Sequence, residues 1–276
     1  MCFHEKRSKG VNTIIEVRDV HKWFGPRRIL NGIHFDVCEG ETLVIMGGSG
    51  GGKSTLLRCL IGLLQPEQGE IRILGEDIVS ASEDKKDTIR TRFGMLFQGA
   101  ALFNSLTVGE NVALPLKEHT NLDKEIIRLI VKVKLELVGL TNFEDLKPYQ
   151  ISGGMKKRVA LARAIALDPK IVFYDEPGAG LDPITACVID RLIMDLTQKL
   201  KMTSIVVTHE LKSAFRIADR MIFLSKGQII ACGSPYEIQN SDNPFIKQFI
   251  NGDLDGPVTY QETRESYLKG IFGSDF

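Results

Sequence analysis

The stretch GGSGGGKST at residues 47–55 constrains this chain more than any other. It fits G-x-x-x-x-G-K-[ST] at Gly47, Gly52, Lys53 and Ser54. The short apolar run ETLVIM (41–46) precedes it and suits a buried strand, and KSTLLRCLIGLL follows with a helical period. A strand, a glycine loop and a helix in that order make a phosphate cradle. Its candidate ligand-binding residues are Gly47, Gly48, Ser49, Gly50, Gly51, Gly52, Lys53, Ser54 and Thr55. Glycines let successive backbone N–H groups turn toward one point without Cβ clashes, and the helix N-terminus adds partial positive charge. Lys53 is placed to bridge the terminal phosphates of a nucleoside triphosphate, and the Ser54 hydroxyl to ligate Mg²⁺.

A cradle of this kind needs a sheet behind it, and the rest of the chain supplies one. Residues 14–20 and 28–38 alternate like strands around the turn FGPRR. GEIRILGEDI (69–78) and RFGMLFQ return to strand. KIVFYDEP (170–177), a helix over 183–200 and TSIVVTHE (203–210) read as strand–helix–strand, which favours a parallel sheet with crossovers. RMIFLSKGQIIACG reads as a closing hairpin. Between the strands the character changes. ENVALPL and NLDKEIIRLIVKVKLELVGL are helical in spacing, so a helical subdomain over about 98–160 is inserted into the core. The expected fold class is therefore α/β, with a P-loop NTPase core, an antiparallel β subdomain and an inserted α-helical subdomain. Residues 1–13 form an N-terminal tail, 14–235 the α/β domain and 236–276 a C-terminal extension.

Two acids end the strand IVFYDEP. An apolar strand that closes on Asp175 delivers a carboxylate to the sheet's C-terminal edge, where open α/β sheets bind ligands. Asp175 is placed to hold Mg²⁺ through its water shell. Glu176 faces elsewhere and is placed to polarise the attacking water. Asp182, in GAGLDP, either joins the site or caps the helix that starts at Pro183.

The stretch ISGGMKKR (151–158) is a second anion cradle at a helix start. One chain thus carries one P-loop, one base and one cradle to spare. A γ-phosphate held by Lys53 needs capping on its outer side. Two chains meeting head to tail, with C2 symmetry, would each cap the other's nucleotide with Ser152, Gly153 and Gly154. Ser152 as a simple N-cap is compatible with this role. The basic cluster Lys156, Lys157, Arg158 reads as a solvated helix face.

The bulk numbers exclude several classes. With 35 basic and 35 acidic residues the formal charge is zero, which gives no electrostatic reason to expect nucleic acid. The five cysteines, at 2, 38, 59, 187 and 232, fit no metal spacing and suit reduced thiols. No signal peptide is visible, and no run approaches roughly 18 apolar residues. Any membrane part must belong to another chain.

Taken in order, these elements resemble the ATP-binding subunits of ABC transporters over roughly residues 14–235. The match comprises an aromatic before glycine (Phe24), the P-loop, the Q-loop Gln98, the signature SGG at 152–154, Asp175–Glu176, the D-loop AGLD (179–182) and the switch His209 in VVTHE. The resemblance implies that Phe24 stacks on adenine, though Trp23 is adjacent and faces the other way on a strand. It implies that Gln98 contacts the metal and water and couples to the membrane subunit, that His209 contacts the γ-phosphate, and that the SGG turn caps the nucleotide of a second copy. Met155 stands where Gln is commonest, which removes a side-chain amide but keeps the backbone donors.

Three stretches, FQGAALFNSLTVGENVALPLKEH (97–119), YDEPGAGLDPIT (174–185) and QFINGDLDGPV (248–258), are similar to the MCE-associated, Mla- or Mkl-type lipid transport ATPases. That group implies a peripheral position on the cytoplasmic face of a bacterial inner membrane. It also implies a permease dimer, an MCE-domain protein, in some relatives a small STAS-domain protein, and phospholipid or another lipid as cargo between inner and outer membranes. Two alternatives are an importer ATPase for a small polar solute and a nucleotide-dependent clamp or regulator with no transport role. In the tail, Phe245, Ile246, Phe249 and Ile250 share one helical face, and Tyr267, Leu268, Ile271, Phe272 and Phe276 follow. They either pack on the protein's own core or dock on a partner.

Overall fold

The structure is a computed structural model and describes residues 12–257. Two sheets organise it. The smaller is antiparallel, with β1 (Thr13–Phe24), β2 (Arg27–Cys38), β4 (Gln68–Ile73) and β5 (Glu76–Asp77) in the order β2-β1-β4-β5. The larger has the order β10-β9-β3-β8-β7-β6. Its strands are β3 (Thr42–Gly47), β6 (Phe93–Leu96), β7 (Ile171–Asp175), β8 (Thr203–Val207), β9 (Arg220–Ser225) and β10 (Gln228–Gly233). β6, β7, β8, β3 and β9 run parallel, and β10 closes the edge as an antiparallel hairpin with β9.

The larger sheet is covered on both faces, which is why its strands are apolar throughout rather than alternating with polar residues. Alternation survives as a division between two cores. Val44, Met46, Val172, Tyr174, Met221 and Phe223 point to one side, toward the helices. Leu43, Ile45, Ile171, Phe173, Ile222 and Leu224 point to the other, toward the small sheet and α1 (Lys53–Leu60). Each such fully buried side chain stabilises the fold by about 1.5–3 kcal/mol relative to exposure.

Between β6 and β7 the chain is helical, with α3 (Val108–His119), α4 (Lys124–Leu137) and α5 (Gly153–Ala164). A capping box at Thr107 and Glu110 starts α3, because the threonine hydroxyl and the glutamate each satisfy an orphan N–H of the first turn. Ile127, Val131 and Leu135 bury one stripe of α4, while Ile126, Leu129 and Val133 stay exposed. The remaining helices are α2 (Glu83–Arg90), α6 (Pro183–Leu200), α7 (Leu211–Ile217), α8 (Pro235–Gln239) and α9 (Pro244–Asn251).

The apolar face of α9 packs on the protein's own core. Ile246 is fully buried and Phe249 meets Phe223 edge to face at 5.3 Å. Tyr267, Leu268, Ile271, Phe272 and Phe276 lie outside the described residues. Among the described residues Cys38, Cys59 and Cys187 are free thiols, as expected, and Cys2 lies outside them. No helix among the described residues is long and apolar enough to cross a membrane.

Candidate active site

Strand register brings the site together. Val207 lies abreast of Ile45 on one side and Asp175 on the other, and Leu96 pairs with Tyr174. The residues just past these positions therefore emerge at one sheet edge: the 47–55 loop, Gln98, Glu176 and His209.

The loop at 47–55 is built from its backbone. Gly47 has φ +146°, and a Cβ there would lie 2.1 Å from the carbonyl oxygen of Leu224, so no other residue fits. Helix α1 opens at Gly52 with no side-chain cap, which leaves its first N–H groups facing outward for an anion. The Lys53 ammonium lies across its own loop and donates to the carbonyls of Gly47 (2.8 Å) and Gly48 (3.0 Å). Burial holds its pKa below the ordinary lysine value, while the carboxylates of Glu176 and Asp175 pull it back up. A terminal phosphate would replace two carbonyl acceptors with a full charge.

Asp175 is half-buried at the end of β7, and its Oδ1 has no hydrogen-bond partner. Burial, then the neighbouring Glu176, pushes its carboxyl above the usual range. A buried, unpaired carboxylate oxygen with a raised pKa fits a cation. Among the described residues no cluster of three or more His, Cys, Asp or Glu could hold a metal alone. A Mg²⁺ ion here would draw on Asp175, the Ser54 hydroxyl, the Gln98 amide and phosphate oxygens.

Glu176 sits in left-handed backbone, φ 47°, a conformation that costs an ordinary residue about 1–2 kcal/mol. The kink takes its side chain out of the strand's alternation and into a polar clasp. Thr208 Oγ donates to Oε2 at 3.2 Å, and His209 Nδ1 pairs with Oε1 at 2.8 Å. Glu176 and His209 thus hold each other. Thr208 is absent from the sequence reading, because nothing in VVTHE separates a clasping hydroxyl from an ordinary one.

Gln98 is exposed. The loop after it carries two further left-handed residues, Ala100 (φ 61°) and Ala101 (φ 49°). Its backbone is gripped from α5. Lys157 Nζ donates to the Gln98 carbonyl and, at 3.2 Å, to that of Glu176. Arg163 donates to the carbonyls of Ala101 (2.7 Å) and Ala100 (2.8 Å). This corrects the reading of Lys156–Arg158 as a solvated face, since Lys157 is only 5% exposed. Three adjacent charges cannot all point outward on a helix that is covered on more than one side. Neither Lys157 nor Arg163 could be singled out from composition or spacing.

At the signature turn, Ser152 is the N-cap of α5 and its hydroxyl accepts from Met155 N at 3.2 Å. Gly154 is pressed against α6, where a Cβ would come within 2.4 Å of Thr185 Cγ2. Asp182 caps α6. It accepts from Ile184 N and Thr185 N, each at 3.0 Å, and from Thr185 Oγ1 at 2.5 Å. The signature turn is thus set on its own D-loop helix. Cβ atoms built at Gly48 and Gly50 meet nothing within 4 Å.

Trp23 and Phe24 do face opposite ways. Trp23 stacks on His21 (5.7 Å) and lies under Arg28 (5.0 Å), while Phe24 is 51% exposed with Lys22 Nζ 5.4 Å from its ring. Of the two, Phe24 is the face left open. A cavity of about 650 Å³ borders the loop on the β9–β10 side, lined by Arg27, Arg28, Phe245 and Phe249 among others. Neither aromatic lines it.

With this geometry in hand, known proteins can be compared. Residues 30–179 match the ABC transporter family. The chain is 43% identical over 259 residues to the intermembrane phospholipid transport system ATP-binding protein MlaF of Haemophilus influenzae, covering 94% of this chain and 98% of that protein. It is also 43% identical over 251 residues to the probable ribonucleotide transport ATP-binding protein Mkl of Mycobacterium leprae, covering 91% of this chain and 72% of that one. Among solved structures it is similar to the dimeric post-hydrolysis ATP-binding cassette MJ0796 bound to ADP and Pi. That match has a TM-score of 0.74 at 33% identity, over 80% of this chain and 99% of the other.

Proposed function

This chain belongs to the ABC transporter family as an ATP-binding subunit, and from that premise we propose that it hydrolyses ATP to drive phospholipid transport between the inner and outer membranes of a bacterium. The observation that carries the cargo assignment is the likeness to MlaF along nearly the whole of both chains. The Mkl relative bears a ribonucleotide name but is matched over less of its own length.

In this reading Lys53 and the backbone donors of Gly47–Thr55 hold the phosphates. Ser54, Gln98 and Asp175 hold Mg²⁺, which supplies charge neutralisation when bound. Glu176 accepts a proton from the attacking water, held in place by Thr208 and His209. As the γ-phosphate arrives, His209 exchanges part of its contact with Glu176 for a phosphate oxygen. Phe24 carries the adenine. Ser152, Gly153 and Gly154, with Asp182 beside them, close over the nucleotide of a second copy. The subunit sits on the cytoplasmic face of the inner membrane with a permease dimer and an MCE-domain protein, and a small STAS-domain protein is a further candidate partner.

The test is reconstitution with its permease in proteoliposomes. ATP-dependent movement of labelled phospholipid is expected, abolished in Glu176→Gln. ATP-dependent uptake of a ribonucleotide with no lipid movement would overturn the cargo assignment.

A further inference from the structure

We propose that Lys157 and Arg163 are positioning residues for hydrolysis. Together they fasten the Gln98 loop and the Glu176 turn to the helix that begins at the signature turn, so that the three move as one body. The inference rests on the reading of Gln98 and Glu176 given above.

The geometry is specific. Lys157 is buried, yet both of its protein acceptors are backbone carbonyls, one from each loop: Gln98 and Glu176. Nearby charge comes from the carboxylates of Asp175 and Glu176. An ammonium has three donors in a tetrahedral spread and can serve two loops at once. A buried lysine that only filled space would be replaceable by methionine at no loss. Arg163 adds a planar fork to the carbonyls of Ala100 and Ala101, the two consecutive left-handed alanines. That conformation is natural to glycine, and here it is held by charge-assisted hydrogen bonds from α5.

The same helix starts at Ser152–Gly154. A pull at its N-terminus by a partner's phosphate is therefore passed along a rigid rod to two clamps, one on the metal-contacting loop and one on the base. Breaking a clamp leaves the P-loop untouched, so nucleotide binding persists while the chemical step slows.

The experiment measures steady-state ATPase of the full chain assembled with its permease in proteoliposomes. Lys157→Met is expected to lower kcat about 10- to 100-fold with KM for ATP within about 3-fold of wild type, and Lys157→Arg to recover most of the loss. Arg163→Met is expected to lower kcat about 3- to 10-fold, and Arg163→Lys, which cannot fork, not to restore it. If Lys157→Met does not fold, Lys157→Leu, which likewise removes every donor, decides with the same criteria. Wild-type kcat in Lys157→Met, a parallel rise in KM, or an arginine variant no better than methionine would overturn the proposal. Glu176→Gln is run alongside. Wild-type turnover there would overturn the site reading itself, and the clamp with it, whereas a dead Glu176→Gln beside a normal Lys157→Met would sink the clamp alone.

Discussion

The molecule carries two helix-start cradles, and they are built on opposite plans. At α1 the turn is nearly all glycine, the helix has no side-chain cap, and its N–H groups open onto space. At α5 the cap is filled by Ser152, one first-turn N–H is already satisfied, and Gly154 is packed tightly on Thr185. The first is a receptacle that can bind a phosphate chain alone. The second has fewer donors free and is fixed to the D-loop helix, so it suits a single outer contact to a phosphate brought by another molecule. On the proposed function, unequal donor supply would let one chain bind ATP while hydrolysis calls for two.

Removing the base is expected to have the largest effect on that contrast. Glu176→Gln should lower turnover about 10²- to 10⁴-fold while leaving nucleotide binding intact. With hydrolysis stopped, both cradles stay on the same nucleotide, so sedimentation should find a dimer in Mg-ATP. A monomer with and without Mg-ATP would break the comparison.

Next come the glycines that differ most between the plans. Gly47→Ala drives a methyl against Leu224 backbone at a positive φ, where nothing can yield. It should destabilise the fold by about 2–3 kcal/mol and abolish ATP binding. Denaturant melts and a nucleotide titration would check both. Gly154→Ala meets only Thr185 Cγ2, the end of a side chain, although Thr185 is tied to Asp182. A loss of about 1 kcal/mol is expected, with ATP binding by one chain retained and the ATP-dependent dimer lost. Equal loss of binding in both variants would mean that the cradles are not divided as described.

The smallest effect has a counterintuitive sign. Asp175 has a folded pKa above its unfolded value, so the folded state binds the proton more tightly and its ionisation weakens the fold as pH rises through that pKa. Asp175→Asn should therefore raise the nucleotide-free Tm at neutral pH while impairing Mg²⁺-dependent turnover. The gain should shrink as the pH is lowered and wild-type Asp175 takes up its proton.

Much was determined by the sequence alone. The cradle at 47–55, the strand ending in Asp175–Glu176, the SGG turn and the α/β class all declare themselves through local spacing, because backbone turns and strand ends depend on adjacent residues. The order of motifs was enough to identify the family. Tertiary structure decided what spacing cannot encode. It turned Lys157 from an apparent surface charge into a buried link between two loops, placed Thr208 and His209 on Glu176, gave Asp182 its capping role, and sent the apolar face of α9 into the core. Burial and hydrogen-bond partners depend on strands and helices far apart in the chain meeting in one register, and that meeting is a property of the whole fold rather than of any stretch within it.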